Sequence, residues 1–323
     1  MTRTMLSRVA DSLYWMSRYL ERAERTAKLI DVNLALALER ASDDEPQRWQ
    51  RVCDAIPARL ADPPSDSAHL AHRLALDPSV PESMLSSVSR ARDNARQVRE
   101  QISAEMWEQV NRLYWQVKQS AEGSDGLRRE SDDLFRLVSD GVYMLQGLAD
   151  ATMSHEEGWH YIQLGRFIER AQATALVLDI HSRAFPEAAA GEIRPAEVGD
   201  WVTLLHVCTA FEAYCRRHTA ALDARRIIEF MLLDASFPRS VRFAVEQVEA
   251  SLRVLTRLSG RMAGGRPERL AGRLRATLNY AVVDEIVAES LHQFLHSVRK
   301  SCGQIHTATN QAFINYQVSA VMT

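Results

Sequence analysis

A short pattern of charged residues, Arg-x-x-Glu-Arg, occurs twice in this chain, 148 positions apart. Arginine can hold a carboxylate or a phosphate with two parallel hydrogen bonds, and a glutamate can act as a general base or orient a reacting group. The pattern therefore indicates either a site that binds an anion or a set of ion pairs between two helices. Its members are Arg18, Glu21 and Arg22 in the first copy and Arg166, Glu169 and Arg170 in the second.

Helical geometry places the charged residues of each copy on one face, because positions three and four apart are neighbours on a helix. In the first copy Arg25 extends this face and could pair locally with Glu21, four residues earlier. The second copy has Ala173 at the position of Arg25, so the local pair is lost while the other three residues recur. Partners elsewhere in the fold explain the repeated pattern better than a local pair does.

Two arrangements would use residues from both copies. In a structural arrangement the two helices cross near an approximate two-fold axis, where Glu21 pairs with Arg170 and Glu169 pairs with Arg22. In a functional site the same side chains act on a bound carboxylate or phosphate. The sequence leaves both open. The candidate catalytic residues are Glu21, Arg22, Glu169 and Arg170, and the neighbouring Arg18 and Arg166 are candidate anion-binding residues.

Two further stretches carry candidate binding residues. The segment MSHEEGWHYIQLGR contains Trp159 and His160 near a predicted helix start, and ARDNARQVREQIS places Arg92 and Arg96 on one helical face. A solvated face would account for these arginines equally well. We keep all four residues as candidates for contact with an anion or a partner.

Glu-x-x-His, the spacing that ferritin-like di-iron bundles use in pairs, also occurs twice. The two examples are Glu157 with His160 and Glu289 with His292. With ten histidines in 323 residues such spacings arise by chance, and we therefore predict no metal site.

The elements that must position these residues are helices. Apolar residues recur at steps of three and four from Leu6 to Ala37, the pattern of a long helix that packs on another helix. The same frame moved by 148 positions is also apolar. A second similarity, between LALDPSVPES and MLLDASFPRS, predicts a helix that ends at each Asp and a new helix that starts near each Pro. Helical patterns cover 82–119, 127–149, 156–183, 201–219, 239–259 and 268–316, and we expect some of these stretches to be broken.

These patterns predict an all-α helical bundle with an internal duplication. Strand-like alternation is nearly absent. The two similar halves would be residues 1–150 and 151–323, packed as one domain.

The composition of the chain argues against several classes of partner and location. A net charge of −3 does not favour nucleic acid or an anionic membrane surface as a partner. No apolar run is long enough to span a membrane, the first residues do not read as a signal peptide, and the four cysteines form no Cys-x-x-Cys pair. We expect a cytoplasmic protein. The chain has no recognisable phosphate-binding loop, so we expect no cofactor on it.

Four stretches resemble the Alpha-E family of bacterial helical proteins: LSRVADSLYWMSRYLERAERTA, MSHEEGWHYIQLGRFIERAQAT, ARDNARQVREQIS and MLLDASFPRSV. Members are typically encoded beside, or fused to, circularly permuted ATP-grasp proteins and transglutaminase-like peptidases. The resemblance implies a helical partner, or a substrate-presenting subunit, of an ATP-grasp-type peptide or amide ligase. A peptide would be the substrate, and ATP and Mg²⁺ are expected on the partner protein. The alternatives are an enzyme with a Glu-Arg catalytic or anion-binding site, and a ferritin-like metal-binding bundle.

Overall fold

The computed structural model of the chain describes residues 5–39, 45–56, 66–122, 131–191, 193–218, 222–259 and 264–314. Within these ranges every regular element is helical, which confirms the predicted all-α fold. A 3₁₀ turn at Pro195–Glu197 and a π turn at Asn310–Ile314 accompany the α-helices. In chain order these are α1 (Ser7–Glu39), α2 (Glu45–Ala55), α3 (Ser67–Leu76), α4 (Met84–Gln97), α5 (Ala104–Glu122), α6 (Ser131–Thr152), α7 (Glu157–Ala184), α8 (Pro186–Ala190), α9 (Val198–Val207), α10 (Phe211–His218), α11 (Ala224–Leu233), α12 (Val241–Leu258), α13 (Arg266–Asn279), α14 (Val283–Glu289) and α15 (Leu291–Thr309).

The two helices that carry the repeated pattern, α1 and α7, pack against each other at the centre of the bundle. Their predicted apolar positions are buried, from Leu13 and Ile30 in α1 to Leu164 and Leu178 in α7. Leu6 is an exception, because it precedes the first turn of α1 and is 73% exposed. Among the described helices, none combines the length and the apolar content needed to cross a bilayer.

Each central helix belongs to a group of four helices, and the two groups share one pattern of contacts. Helix α1 contacts α4 and α6, and α5 contacts both of these. Helix α7 contacts α12 and α15, and α13 contacts both. The two groups therefore have the same connectivity and meet where α1 packs on α7. The internal duplication and the division at residue 150 remain predictions, and this shared plan agrees with them.

The second sequence similarity corresponds to matching helix ends. Helices α3 and α11 end immediately before Asp77 and Asp234, as predicted, and each of these carboxylates accepts a backbone N–H two residues later. The next helices begin after Ser83 and Ser240, whose hydroxyls accept the backbone N–H three residues on. Short polar side chains thus satisfy the N–H groups that a helix start leaves unpaired.

Three predicted helical stretches are broken in the structure. The stretch 82–119 divides into α4 and α5, and 201–219 divides into α9 and α10, where Thr209 has a φ of 51°. The stretch 268–316 divides into α13, α14 and α15, and its last two positions lie outside the described residues. Ser103 and Ser290 cap the new starts of α5 and α15 by accepting backbone N–H groups. Breaks were expected in some of these stretches, but apolar periodicity continues through them and did not reveal where they lie.

Candidate functional site

Helices α1 and α7 approach each other closely at Gly165. A Cβ atom on this residue would lie 2.3 Å from both the Tyr14 carbonyl oxygen and the Ser17 hydroxyl oxygen, which is too close for any side chain. Gly165 lies 148 positions after Ser17, so the two residues occupy the same place in the repeated pattern. The charged residues lie one turn further along each helix. Because equivalent positions are in contact at Gly165, these charged residues face each other.

The four candidate catalytic residues form two reciprocal ion pairs across this crossing. Arg170 donates to both carboxylate oxygens of Glu21, over 2.5 Å from Nε and 2.9 Å from Nη2. Arg22 donates to both carboxylate oxygens of Glu169, over 2.6 Å from Nε and 3.3 Å from Nη2. Both glutamates are more than nine-tenths buried. This is the pairing expected of the structural arrangement.

Arginine neighbours keep both glutamates ionised. Burial alone would raise the pKa of the Glu169 carboxyl, but Arg18 and Arg22 more than offset this and lower it to about 2. Burial opposes ionisation of Glu21 as well, and Arg170 lowers its pKa below the usual range. Since these carboxylates accept several strong hydrogen bonds, they make poor general bases.

The two remaining arginines of the pattern differ in their surroundings. Arg18 donates to Glu169 over 2.7 Å and to the Tyr14 hydroxyl over 3.2 Å. Arg166 has no hydrogen-bond acceptor for its buried Nε within the described part of the chain. Burial, with Arg170 nearby, lowers the pKa of Arg166 to about 10. Burial therefore disfavours the charge of Arg166, whereas the charge of Arg18 is stabilised by its ion pair with Glu169.

A tyrosine and a histidine lie beside Arg18. The Tyr14 hydroxyl is 2.7 Å from His306 Nδ1, and Arg18 Nη1 is 3.1 Å from the same nitrogen. Because a guanidinium can only donate, Nδ1 is an acceptor and the imidazole is neutral. Burial and the charge of Arg18 accordingly lower the pKa of His306 to about 4. Sequence reasoning missed both residues, since no pattern links positions 14 and 306.

An outer ion pair joins the second sequence motif to α1. Arg239, from MLLDASFPRS, donates to both oxygens of Glu24 over 3.0 and 2.8 Å, and the Tyr143 hydroxyl donates to the same carboxylate over 2.9 Å. The equivalent positions in the other half are Glu82 and Gln172, so this pair has no counterpart. The replacement of Glu24 by a neutral residue in the second copy thus matches the loss of its arginine partner.

Positive charge exceeds negative charge in this central cluster. Among the nine residues of the cluster the excess is three charges, because six arginines surround three glutamates; Asp150, outside the cluster, also attracts Arg166. Arg25, like Arg166, has a buried Nε without a hydrogen-bond acceptor among the described residues, and burial lowers its pKa. The central cluster consists of Arg18, Glu21, Arg22, Glu24, Arg25, Arg166, Glu169, Arg170 and Arg239.

The other sequence candidates have partners outside the central cluster. Trp159 donates to Asp150 over 3.0 Å and stacks on a neighbouring histidine ring, while His160 has a buried Nδ1 with no partner in the described ranges. Arg92 donates to an asparagine of α5 and lies over the Tyr114 ring. Arg96 is exposed and 3.8 Å from Asp93 on its own helix. The structure does not join these residues to the central cluster.

The Glu-x-x-His spacings are engaged in separate contacts. Glu157 accepts the backbone N–H of Met5 over 3.0 Å, and His292 pairs with Asp179 over 2.6 Å. Within the described residues, no three His, Cys, Asp or Glu side chains form a group that could hold a metal ion.

Comparison with known proteins agrees with the resemblance read from the sequence. The family model for Alpha-E, described as a predicted alpha-helical domain with a conserved ER motif, matches residues 5–314. The chain belongs to the Alpha-E family. The Glu-Arg dipeptides of the two reciprocal pairs, Glu21–Arg22 and Glu169–Arg170, are written ER in one-letter code.

Its relatives include longer proteins of mycobacteria. An uncharacterised protein of Mycobacterium bovis is 27% identical over 340 residues, and one of Mycobacterium tuberculosis is 26% identical over the same length. Each alignment covers 94% of this chain and 37% of the relative. The chain therefore spans little more than a third of these proteins. No solved structure gives a significant match.

Proposed function

We propose that this chain is a binding partner of an ATP-grasp-type peptide or amide ligase, and that its central cluster holds an anionic group of the peptide substrate. The observation that carries the proposal is the imbalance of charge in the cluster. Three positive charges remain after each glutamate of the cluster is matched with one arginine, and the buried Nε atoms of Arg25 and Arg166 lack hydrogen-bond acceptors in the described structure. A carboxylate or an acyl phosphate would supply both the charge and the acceptors.

The hydrogen bonding of the two glutamates favours a role for the cluster in binding an anion over a role in catalysis. Glu21 and Glu169 are buried and already accept bidentate hydrogen bonds from arginine. A general base must present a free lone pair to its substrate. We therefore assign these two residues to holding α1 against α7, and only the arginine nitrogens that do not bond to them are available for contact with an anion.

A substrate would reach the cluster at Arg22, whose side chain is partly exposed. The Arg22 side chain is 24% exposed, and its guanidinium lies 5.8 Å from the Trp15 ring centre and 5.5 Å from that of Tyr19. Aromatic faces beside an accessible guanidinium suit a peptide that carries an anionic group, since they can pack on its apolar parts.

The ligase is proposed as the partner because of the family to which the chain belongs. The resemblance to this family implies an association with ATP-grasp and transglutaminase-like proteins, and the mycobacterial relatives extend well beyond the matched region. ATP and Mg²⁺ would bind to the partner. This chain would order the peptide or complete the site at an interface, which lowers the entropic cost of bringing reactants together.

Reconstitution tests the proposal. The purified chain is incubated with ATP, Mg²⁺ and amino acids, with and without an anionic peptide and with and without an ATP-grasp protein encoded beside it. We expect no ADP release by the chain alone, and peptide-dependent ADP release by the mixture that falls when Arg22→Met replaces the wild type. Arg225→Met, which changes an exposed arginine paired with Asp284, is the matched control. Robust ADP release by the chain alone would contradict the proposal.

A further inference from the structure

A separate cavity lies between α1, α2, α7 and α9, further along the two central helices than the central cluster. Its enclosed part is small, about 50 Å³, and the empty space rises to about 450 Å³ when the open mouth is included. Its walls combine one face of each helix, so residues from both halves of the chain line it. The apolar part of the lining consists of Leu29, Val52, Val177, Ile180, Leu204 and Val207.

Arg48 supplies the cavity with a buried cation. The residue is only 8% exposed, and neither its Nε nor its Nη2 has a hydrogen-bond acceptor in the described part of the chain. These two nitrogens lie on the same edge of a guanidinium. They are the pair with which Arg170 binds the carboxylate of Glu21. Arg48, which lines the cavity, therefore has an unoccupied fork that matches a carboxylate.

The other ionisable groups of the lining are balanced. Arg51 donates to Asp200 over 2.8 Å, so these two charges compensate each other. His181 is buried, and burial together with the charge of Arg51 lowers its pKa to about 3, which leaves the imidazole neutral. Among the described lining residues Arg48 is thus the uncompensated charge. One positive charge matches a monoanion better than a phosphate dianion.

We propose that this cavity binds a small aliphatic monocarboxylate, with the carboxylate on the Nε and Nη2 of Arg48 and the hydrocarbon part against the apolar lining. The proposal is independent of the partnership with a ligase, because it concerns different residues and a different ligand.

The chain itself contains carboxylates that could compete for this fork. Asp43, Asp44 and Asp62 lie near Arg48 in the sequence, outside the described residues. The experiment must therefore separate a ligand from an internal acceptor, and the variant Asp44→Asn tests the carboxylate four positions before Arg48.

Isothermal titration calorimetry on the full chain tests the proposal. The probes are butyrate, its neutral isostere butyramide, and inorganic phosphate. We expect butyrate to bind at least ten-fold more tightly than either of the others, since only butyrate combines a single negative charge with an apolar chain. Arg48→Met and Arg48→Lys should each weaken butyrate binding at least ten-fold, the lysine variant because an ammonium cannot form the fork.

Two controls complete the design. Arg225→Met should leave butyrate affinity unchanged, because that arginine is exposed and paired with Asp284. Asp44→Asn should also leave it unchanged. If Arg48→Met does not fold, Arg48→Lys carries the test, since it retains the charge.

Three results would overturn the proposal. Equal binding of butyrate and butyramide would show that the carboxylate is not recognised. Butyrate binding that arises only in Asp44→Asn would show that the chain occupies its own fork. Undiminished butyrate binding by Arg48→Lys would show that the guanidinium fork is not required. Tighter binding of phosphate than of butyrate would show that the cavity does not select an aliphatic monocarboxylate.

Discussion

Ser17 lies directly against Gly165, the residue that takes its place in the second copy of the pattern, and a Cβ on Gly165 would be 2.3 Å from the Ser17 hydroxyl oxygen. This contact fixes the separation of α1 and α7. The reciprocal ion pairs lie one turn further along, where an arginine and a glutamate from each helix can reach across.

Gly165→Ala should therefore destabilise the protein by about 1–3 kcal/mol, because the methyl group meets the backbone oxygen of Tyr14, which cannot move aside. Chemical denaturation measures the change. Gly147→Ala is the matched control: Gly147 is exposed within α6 and has no atom within 4 Å of an added Cβ. Alanine there should stabilise by about 0.5–1 kcal/mol. Equal effects of the two substitutions would show that the close contact does not constrain the helices.

Two arginines on α7 should respond in opposite directions to the same substitution. Arg166→Met removes a cation whose lowered pKa of about 10 means that folding opposes its charge, so the free energy of unfolding should stay constant or rise by roughly 1–2 kcal/mol. Arg170→Met leaves Glu21 without its bidentate partner and should cost about 3–5 kcal/mol. Denaturation of both variants at pH 7 makes the comparison. A similar loss in both would mean that Arg166 is a structural residue like Arg170.

Acid should destabilise the fold in two stages. His181 and His306 have pKa values lowered from 6.5 to about 3 and about 4, so below pH 6.5 the unfolded chain takes up protons that the folded protein does not. Glu169, lowered from 4.5 to about 2, adds a loss between those values, because its ionised form is stabilised only in the fold. Stability should thus decline from about pH 6.5 and more steeply below about pH 4.5.

Thermal denaturation across pH 3–8 follows these stages. His306→Gln should flatten the decline between pH 6.5 and 4, whereas the exposed His296→Gln should not. If the pH profile of His306→Gln paralleled that of the wild type, titration of this histidine would not contribute to the loss of stability in acid.

The sequence carried enough information to offer the central pairing as one of two arrangements, and the reason is repetition. Glu21 and Arg170 lie 149 positions apart, but each has a counterpart in the other copy, so reciprocal pairing was the simplest way to satisfy all four charges. The buried faces of α1 and α7 followed from periodicity in the same way.

Residues without a counterpart could not be placed. Glu24 and Arg239 are 215 positions apart and belong to different motifs, and nothing in their types links them. Arg48 sits on a short helix among other charged residues, where exposure would be the usual expectation. Its burial depends on how α2 packs on α7, a contact between segments with no shared pattern. The position of the break between α4 and α5 could not be predicted, because a serine cap leaves the apolar spacing almost unchanged.

The central claim, that the Glu-Arg pairs hold the two repeated helices together, is tested most directly by a double-mutant cycle on Glu21 and Arg170. Glu21→Met and Arg170→Met should each cost about 3–5 kcal/mol, because each leaves a buried charge without its partner. The double variant removes both charges and keeps the excess of the cluster at three, so it should be less destabilised than the sum of the single variants by at least about 2 kcal/mol. The same cycle on Arg242 and Glu246, a pair on one helix with both side chains 28% exposed, should give a coupling below about 0.5 kcal/mol. A coupling near zero for Glu21 and Arg170 would contradict the claim.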